Sequence, residues 1–349
     1  MPQGADAAGI KALDRPGLEE LVAELGQPRF RAKQLEHWLY GRDARSFAEM
    51  TDLPAGLRET LAGRLALPSP RVLERQESRD GTRKYLVEFA DGATVEVVGL
   101  PAADRLTVCF STQVGCAMGC SFCATGLDGL TRSLGPGEMV DQLVLVGRDF
   151  GSRVTNAVAM GQGEPFANYE AVLAALRFMN GSDGPQIGAR HLTVSTCGLV
   201  AGILRLAREP EQYTLAVSLH SAVQETRNRL MPGLSGQPLG ALREALSEYA
   251  RDTGRRPSLE YTLIAGINDT PTELAALVEF ARGLLIHVNL IPVNPVVEAG
   301  LKRTSAPRIS QFSRTLEQAG IAVTVRAERG ADIDAACGQL RQRHAPPSA

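Results

Sequence analysis

The sequence predicts an α/β protein of alternating strands and helices, preceded by a small helical module and a β-hairpin. Three observations carry this. From residue 105 onward, short β-type runs alternate with amphipathic stretches. The first 70 or so residues repeat leucine at helical spacing. Between these regions, an alternating pattern flanks Asp91-Gly92.

The elements follow in order. Leu18, Leu21, Val22 and Leu25 recur at helical spacing, and Gly26 ends that helix. Phe30, Leu35, Trp38 and Leu39 mark a second helix, stopped at Gly41; Leu53, Leu57, Leu61 and Leu65 mark a third, stopped before Pro68. Residues 83–89 alternate, Asp91-Gly92 is a strong hairpin turn, and 93–98 returns. Further strands are predicted at 105–110, 154–160, 190–195, 213–219, 258–264 and 285–291. Helices at 137–149, 168–179, 199–208, 239–252 and 272–283 lie between them, and helix 306–319 precedes a last strand at 321–325. Six βα units imply parallel strands with right-handed crossovers. Six fall short of the eight that close a barrel, so an open partial barrel and a doubly wound sheet both fit. Either puts the site at the C-terminal ends of the strands. The domain limits expected are 1–75 for the helical accessory domain, 76–101 for the hairpin extension, 102–332 for the core and 333–349 for a mobile C-terminal segment.

Of 349 residues, 44% are hydrophobic, enough for a sizeable core without disulfide staples. The 37 basic and 39 acidic residues leave a formal charge of −2, which argues against nucleic-acid binding by bulk charge. Local patches could still do it. Residues 29–45 carry five basic residues against Glu36 and Asp43; residues 300–343 carry eight against four, including Lys302, Arg303, Arg308, Arg326 and Arg329. The N-terminus lacks a signal-peptide pattern, and no apolar run approaches the roughly 20 residues that span a bilayer. A cytoplasmic location without a membrane partner is expected.

The cysteines are Cys109, Cys116, Cys120, Cys123, Cys197 and Cys337. Four within fifteen positions read as metal or redox chemistry in a reducing compartment. Cys116, Cys120 and Cys123 form a C-x3-C-x2-C loop, with Gly115 and Gly119 permitting a tight wrap. Soft thiolates select zinc or iron–sulfur clusters. Zinc would need a fourth ligand from Cys109, Cys197 or Cys337, and no second C-x2-C exists. Three ligands suit a 4Fe–4S cluster with one iron open. Polar motifs follow at successive strand ends: Gly161-Gln162-Gly163-Glu164-Pro165, Ser195-Thr196-Cys197-Gly198, Ser218-Leu219-His220, and Asn294.

This loop, placed after the first strand of a βα series, resembles the radical S-adenosylmethionine (SAM) enzymes. The resemblance implies a partial (β/α)6 radical SAM barrel in which SAM binds the open iron and yields a 5′-deoxyadenosyl radical. Residues 105–116 (Arg-Leu-Thr-Val-Cys-Phe-Ser-Thr-Gln-Val-Gly-Cys) and 330–340 (Gly-Ala-Asp-Ile-Asp-Ala-Ala-Cys-Gly-Gln-Leu) narrow it. Both look like the dual-specificity RNA adenine-C2 methyltransferase family, over most of the chain. Gln162 and Cys197 depart from the Met and Ser that many members carry there, and Cys197 reads as packing.

The resemblance implies methylation of adenine 2503 of 23S rRNA and adenine 37 of tRNA, consuming two SAM molecules. Cys337 would carry the methyl group, and Cys109 would resolve the protein–RNA adduct through a Cys109–Cys337 disulfide. Glu96 would accept a proton near adenine C2, although by pattern alone it is equally an ordinary strand carboxylate. Gly163, Glu164, Ser195, Ser218, Leu219, His220 and Asn294 would bind SAM. A flavodoxin- or ferredoxin-type electron donor, a thiol reductant and a monomeric state are expected. Three alternatives stay open: the related adenine-C8 methyltransferase, a non-methylating radical SAM enzyme, and a zinc-bound RNA-binding module.

Overall fold

The computed structural model describes residues 9–127, 129–294, 300–327, 329–335 and 339–340. Helices α1 (Arg15–Glu24), α2 (Phe30–Glu36) and α3 (Ala55–Arg64) open the chain. The Asp14 carboxylate caps α1 by accepting the Gly17 N–H at 2.9 Å, and Leu18 and Val22 form its buried face. A buried ion pair, Lys11 Nζ to Asp141 Oδ1 at 2.6 Å, ties this region to the barrel.

Strands β1 (Arg71–Glu77), β2 (Arg83–Glu88), β3 (Thr94–Ala102) and β4 (Arg105–Cys109) pair antiparallel in succession. A separate two-stranded sheet joins β5 (Gln113–Gly115) to β6 (Leu130–Ser133). Then come β7 (Asn156–Ala159), β8 (Leu192–Thr196), β9 (Thr214–Ser218), β10 (Ser258–Leu263), β11 (His287–Pro292) and β12 (Ala322–Val325). From β4 onward every neighbouring pair in the large sheet is parallel. The helices between them are α4 (Pro136–Phe150), α5 (Tyr169–Asn180), α6 (Val200–Ala207), α7 (Gln224–Leu230), α8 (Leu239–Thr253), α9 (Pro271–Ala281) and α10 (Ala306–Gln318).

The strand order β4-β7-β8-β9-β10-β11-β12 follows the chain without a reversal. A doubly wound sheet requires that reversal, so the partial barrel is the correct alternative. The predicted strands 105–110, 154–160, 190–195, 213–219, 258–264 and 285–291 match β4 and β7–β11 closely. Four elements, β1, β5, β6 and α7, had no sequence prediction. The outer strand β1 is exposed along most of its length, so it has no buried face to impose alternation. The β5–β6 pair is very short, and α7 has only seven residues. Among the described residues, no helix is long and apolar enough to cross a membrane.

Candidate active site at the mouth of the partial barrel

The cysteine loop is an excursion between β5 and β6. The Cys116 N–H donates to the Gly129 carbonyl at 2.8 Å and closes its neck. Gly115 adopts φ +78°, and a Cβ there would collide with that same carbonyl, so only glycine serves. Inside the loop, the Cys123 N–H donates to the Cys120 carbonyl at 3.1 Å. Cys116, Cys120 and Cys123 all line one cavity. Burial, reinforced by the neighbouring cysteines, pushes the Cys116 thiol up to about 11 and the Cys120 thiol higher. Such thiols ionise when a cation joins them, and an iron cluster is such a cation. Three soft thiols carried on one short loop and lining one cavity are a donor set that fits an iron–sulfur cluster.

The strand ends supply the rest of the wall. Gly163, Glu164, Ser195, Ser218, His220 and Asn294 line the same cavity, whereas the Leu219 side chain is buried in the hydrophobic core. Glu164 is buried, and its carboxylate binds donors of its own chain. Oε1 accepts from the Phe166 N–H (2.9 Å) and the Thr196 hydroxyl (2.7 Å), and Oε2 from the Cys197 N–H (2.6 Å). The Cys197 thiol hydrogen-bonds the same carboxylate, which therefore bridges the end of β7 to the end of β8. Burial raises its carboxyl above the usual range, against these bonds. His220 Nδ1 accepts the Thr262 N–H at 3.0 Å, which leaves Nε2 as the protonated nitrogen. Burial, with Arg227 nearby, holds His220 down at about 3, so it is neutral. Its edge-on contact with Phe122, 4.5 Å between centroids, joins β9 to the cysteine loop.

The two departures are explained by backbone use. The Gln162 N–H donates to Ser111 Oγ (2.9 Å) and its carbonyl accepts the Thr112 N–H (2.8 Å), while its buried side-chain Oε1 has no partner. Cys197 works through its N–H and carbonyl and also through its thiol, which hydrogen-bonds Glu164 and is kept protonated by burial and that carboxylate.

A second cavity adjoins the first and shares Met160, Ile291, Asn294 and Arg326 with it. Cys109, buried at the end of β4, lines this second cavity. Glu96 is buried rather than exposed, 3.1 Å from Lys84 Nζ, and lines a third cavity with Asp332, Asp334 and Gln339. It shares the face of β3 that carries Val98, the register partner of Cys109. Cys337 lies outside the described residues. On one side of it, Ser78 Oγ donates to Asp332 Oδ1 at 2.6 Å; on the other, Thr125 Oγ1 donates to the Leu340 carbonyl at 2.7 Å.

Of the basic stretches, Arg29 pairs with Glu19, Lys33 lies 3.5 Å from Asp183, and Arg326, 3.9 Å from Glu260, lines both cavities. Sequence reasoning missed Thr125, Met160, Glu260 and Arg326 as lining residues. It also missed Arg227, a fully buried arginine behind the cysteine loop. No local pattern marks these positions.

Residues 110–281 match the radical SAM superfamily profile, so fold and site together define a SAM-dependent radical enzyme. Residues 9–67 match the ribosomal RNA large subunit methyltransferase N-terminal domain. The probable dual-specificity RNA methyltransferase RlmN of Pelotomaculum thermopropionicum is 47% identical, covering 98% of this chain and 94% of that protein. Its counterpart in Symbiobacterium thermophilum is 48% identical, covering 96% and 92%. A crystal structure of a radical SAM methyltransferase from Sphaerobacter thermophilus superimposes with a TM-score of 0.89 at 48% identity, covering 95% of this chain and 98% of that one. The chain belongs to the RlmN family of dual-specificity RNA methyltransferases.

Proposed function

We propose that this chain methylates C2 of an adenine in 23S rRNA and of an adenine in tRNA, through a methylated Cys337. The carrying observation is the adjacency of two cavities, one lined by three cysteines and polar strand ends, the other by Cys109. Cys116, Cys120 and Cys123 would hold a 4Fe–4S cluster, which when bound supplies the electron that splits SAM to a 5′-deoxyadenosyl radical. Gly163, Glu164, Ser195, Ser218, Leu219, His220 and Asn294 would bind SAM. His220 would donate from Nε2, and Leu219 would act through its backbone.

The protein's own residues would do the following. The Cys337 thiolate takes a methyl group from one SAM, its S–C bond forming as the sulfonium's breaks. The methyl carbon gives one hydrogen atom to the 5′-deoxyadenosyl radical and bonds to adenine C2, which is too electron-poor for polar methyl transfer. Once the adduct has given up one electron, for which the oxidised cluster would be the acceptor, Glu96 takes the C2 proton. The Cys109 thiolate then attacks the Cys337 sulfur: the S–S bond forms as the S–C bond breaks, the freed carbon takes up a proton to become the methyl group, and the RNA leaves with a disulfide for an external thiol to reduce. Arg326, which lines both cavities, would contact phosphate as the adenine is unstacked into the site.

The test is incubation with rRNA or tRNA and trideuteromethyl SAM, followed by nucleoside mass spectrometry. Transfer through Cys337 gives a methyl group lacking one of its original deuterium atoms. RNA methylation that persists in Cys337→Ala refutes the route, and NMR of the nucleoside separates C2 from C8.

A further inference from the structure

Arg227 is 1% exposed and heads the largest fully buried side chains of the protein. Its guanidinium donates to the Cys197 carbonyl at 2.7 Å and more weakly to the Ser218 carbonyl at 3.4 Å, at the ends of β8 and β9. Its Nε has no partner. Among the described residues, the ionisable groups coupled to it are Cys197, Cys120 and the neutral His220, and no carboxylate. A buried cation facing only carbonyls, thiols and a neutral imidazole is costly unless an anion arrives beside it.

The segment carrying Arg227 also braces the cysteine loop. The Ser121 N–H donates to the Leu230 carbonyl at 2.9 Å, and the Gly233 N–H donates to the Met118 carbonyl at 3.0 Å. A Cβ on Gly233 would come within 2.8 Å of Met118 Cα, so the approach depends on glycine. Helix α7 and the turn after it thus hold a fixed positive charge against the loop that bears Cys120.

We propose that Arg227 is a positioning residue that acts as the buried counter-charge of the iron–sulfur cluster and raises its reduction potential. The inference rests on the reading that Cys116, Cys120 and Cys123 hold a 4Fe–4S cluster. A 2+ cube gripped by three thiolates carries net negative charge, and reduction adds one more. A cation fixed nearby in a low dielectric favours the reduced state, because cluster potentials follow local charge and hydrogen bonding. Arg227 does not line the cavity, so it acts through this field and through the loop it braces, without touching substrate.

The test is a potentiometric titration of the reconstituted full chain, with the EPR signal of the reduced cluster as readout. Arg227→Lys keeps the charge, and Arg227→Gln removes it while keeping hydrogen-bonding capacity. At the wild-type midpoint, R227Q is expected to show at least a tenfold lower ratio of reduced to oxidised cluster, a 59 mV shift for one electron. R227K is expected to load iron and stay within that interval. An R227Q protein empty of iron beside a loaded R227K supports the same requirement for charge. R227Q at the wild-type potential overturns the proposal, as does R227K that loses iron or shifts as far as R227Q. Iron and sulfide content of the unsubstituted protein tests the cluster reading separately: without a cluster there, both fall.

Discussion

Replacing Glu164 by glutamine tests whether this carboxylate holds the site together. In the native chain it accepts from the Phe166 N–H, the Thr196 hydroxyl and the Cys197 N–H, at 2.9, 2.7 and 2.6 Å. A glutamine amide has one acceptor end and one donor end. If its NH2 faces Cys197, one backbone N–H loses its acceptor; if it faces Phe166, another does. Neither orientation serves all three donors unchanged. A hydrogen bond to a charged group contributes about 1.5–3 kcal/mol, and a buried N–H left without a partner costs about 1–3 kcal/mol. The sum is about 2.5–6 kcal/mol. At about 1.4 °C per kcal/mol for a chain of this size, the melting temperature should fall by roughly 3–8 °C. The assay is thermal unfolding followed by circular dichroism, paired with calorimetric SAM titration of the iron-loaded protein. SAM affinity should weaken as the β7 and β8 ends separate. A melting temperature within about 2 °C of wild type, with unchanged SAM affinity, would refute the bridging role.

Three further outcomes follow from the same geometry. Gly115→Ala forces a side chain onto the Gly129 carbonyl at a left-handed φ, so the iron-to-protein ratio after reconstitution should drop well below wild type. Lys11→Met leaves Asp141 buried without its cation, at a cost of about 3–5 kcal/mol at pH 8 in urea unfolding. Burial already lifts the Asp141 carboxyl to about 6 despite Lys11. A carboxyl raised in the folded state favours stability at low pH and loses that contribution as pH rises through its folded value. Losing Lys11 raises Asp141 further, so the K11M deficit builds up above about pH 6 and should shrink as pH falls from about 8 to about 6; a pH-independent deficit contradicts this account. Gln162→Met removes a buried amide oxygen that has no partner while leaving the backbone bonds of residue 162 intact, so it should be neutral or stabilising by up to about 1 kcal/mol.

Much of the architecture was legible because it is written locally. Helix α8 buries one stripe, Leu242, Ala245, Leu246 and Tyr249, and the parallel strands are short apolar runs between turn signals, so period and punctuation reveal them. The cysteine loop was legible because its ligands are neighbours in sequence. Elements whose identity depends on distant partners were not. Strand β1 is an edge with little to bury, and α7 is recognised by what Arg227 reaches. Glu164 could be named as polar and well placed, but its donors come from two different turns. Glu96 could not be told from a surface carboxylate until Lys84, Asp332 and Asp334 gathered round it.

The amino-acid order alone determined the alternating α/β class, the site at the strand ends and the trio of cysteines that defines its chemistry. Tertiary structure alone decided that the barrel stays in chain order, that Lys11 meets Asp141 and Thr125 meets Leu340, and that an arginine lies buried behind the cysteine loop. The physical reason is range. Helical and strand periods act over a few residues, whereas a buried charge or a long-range hydrogen bond becomes favourable only after packing has excluded water and brought its partner within reach.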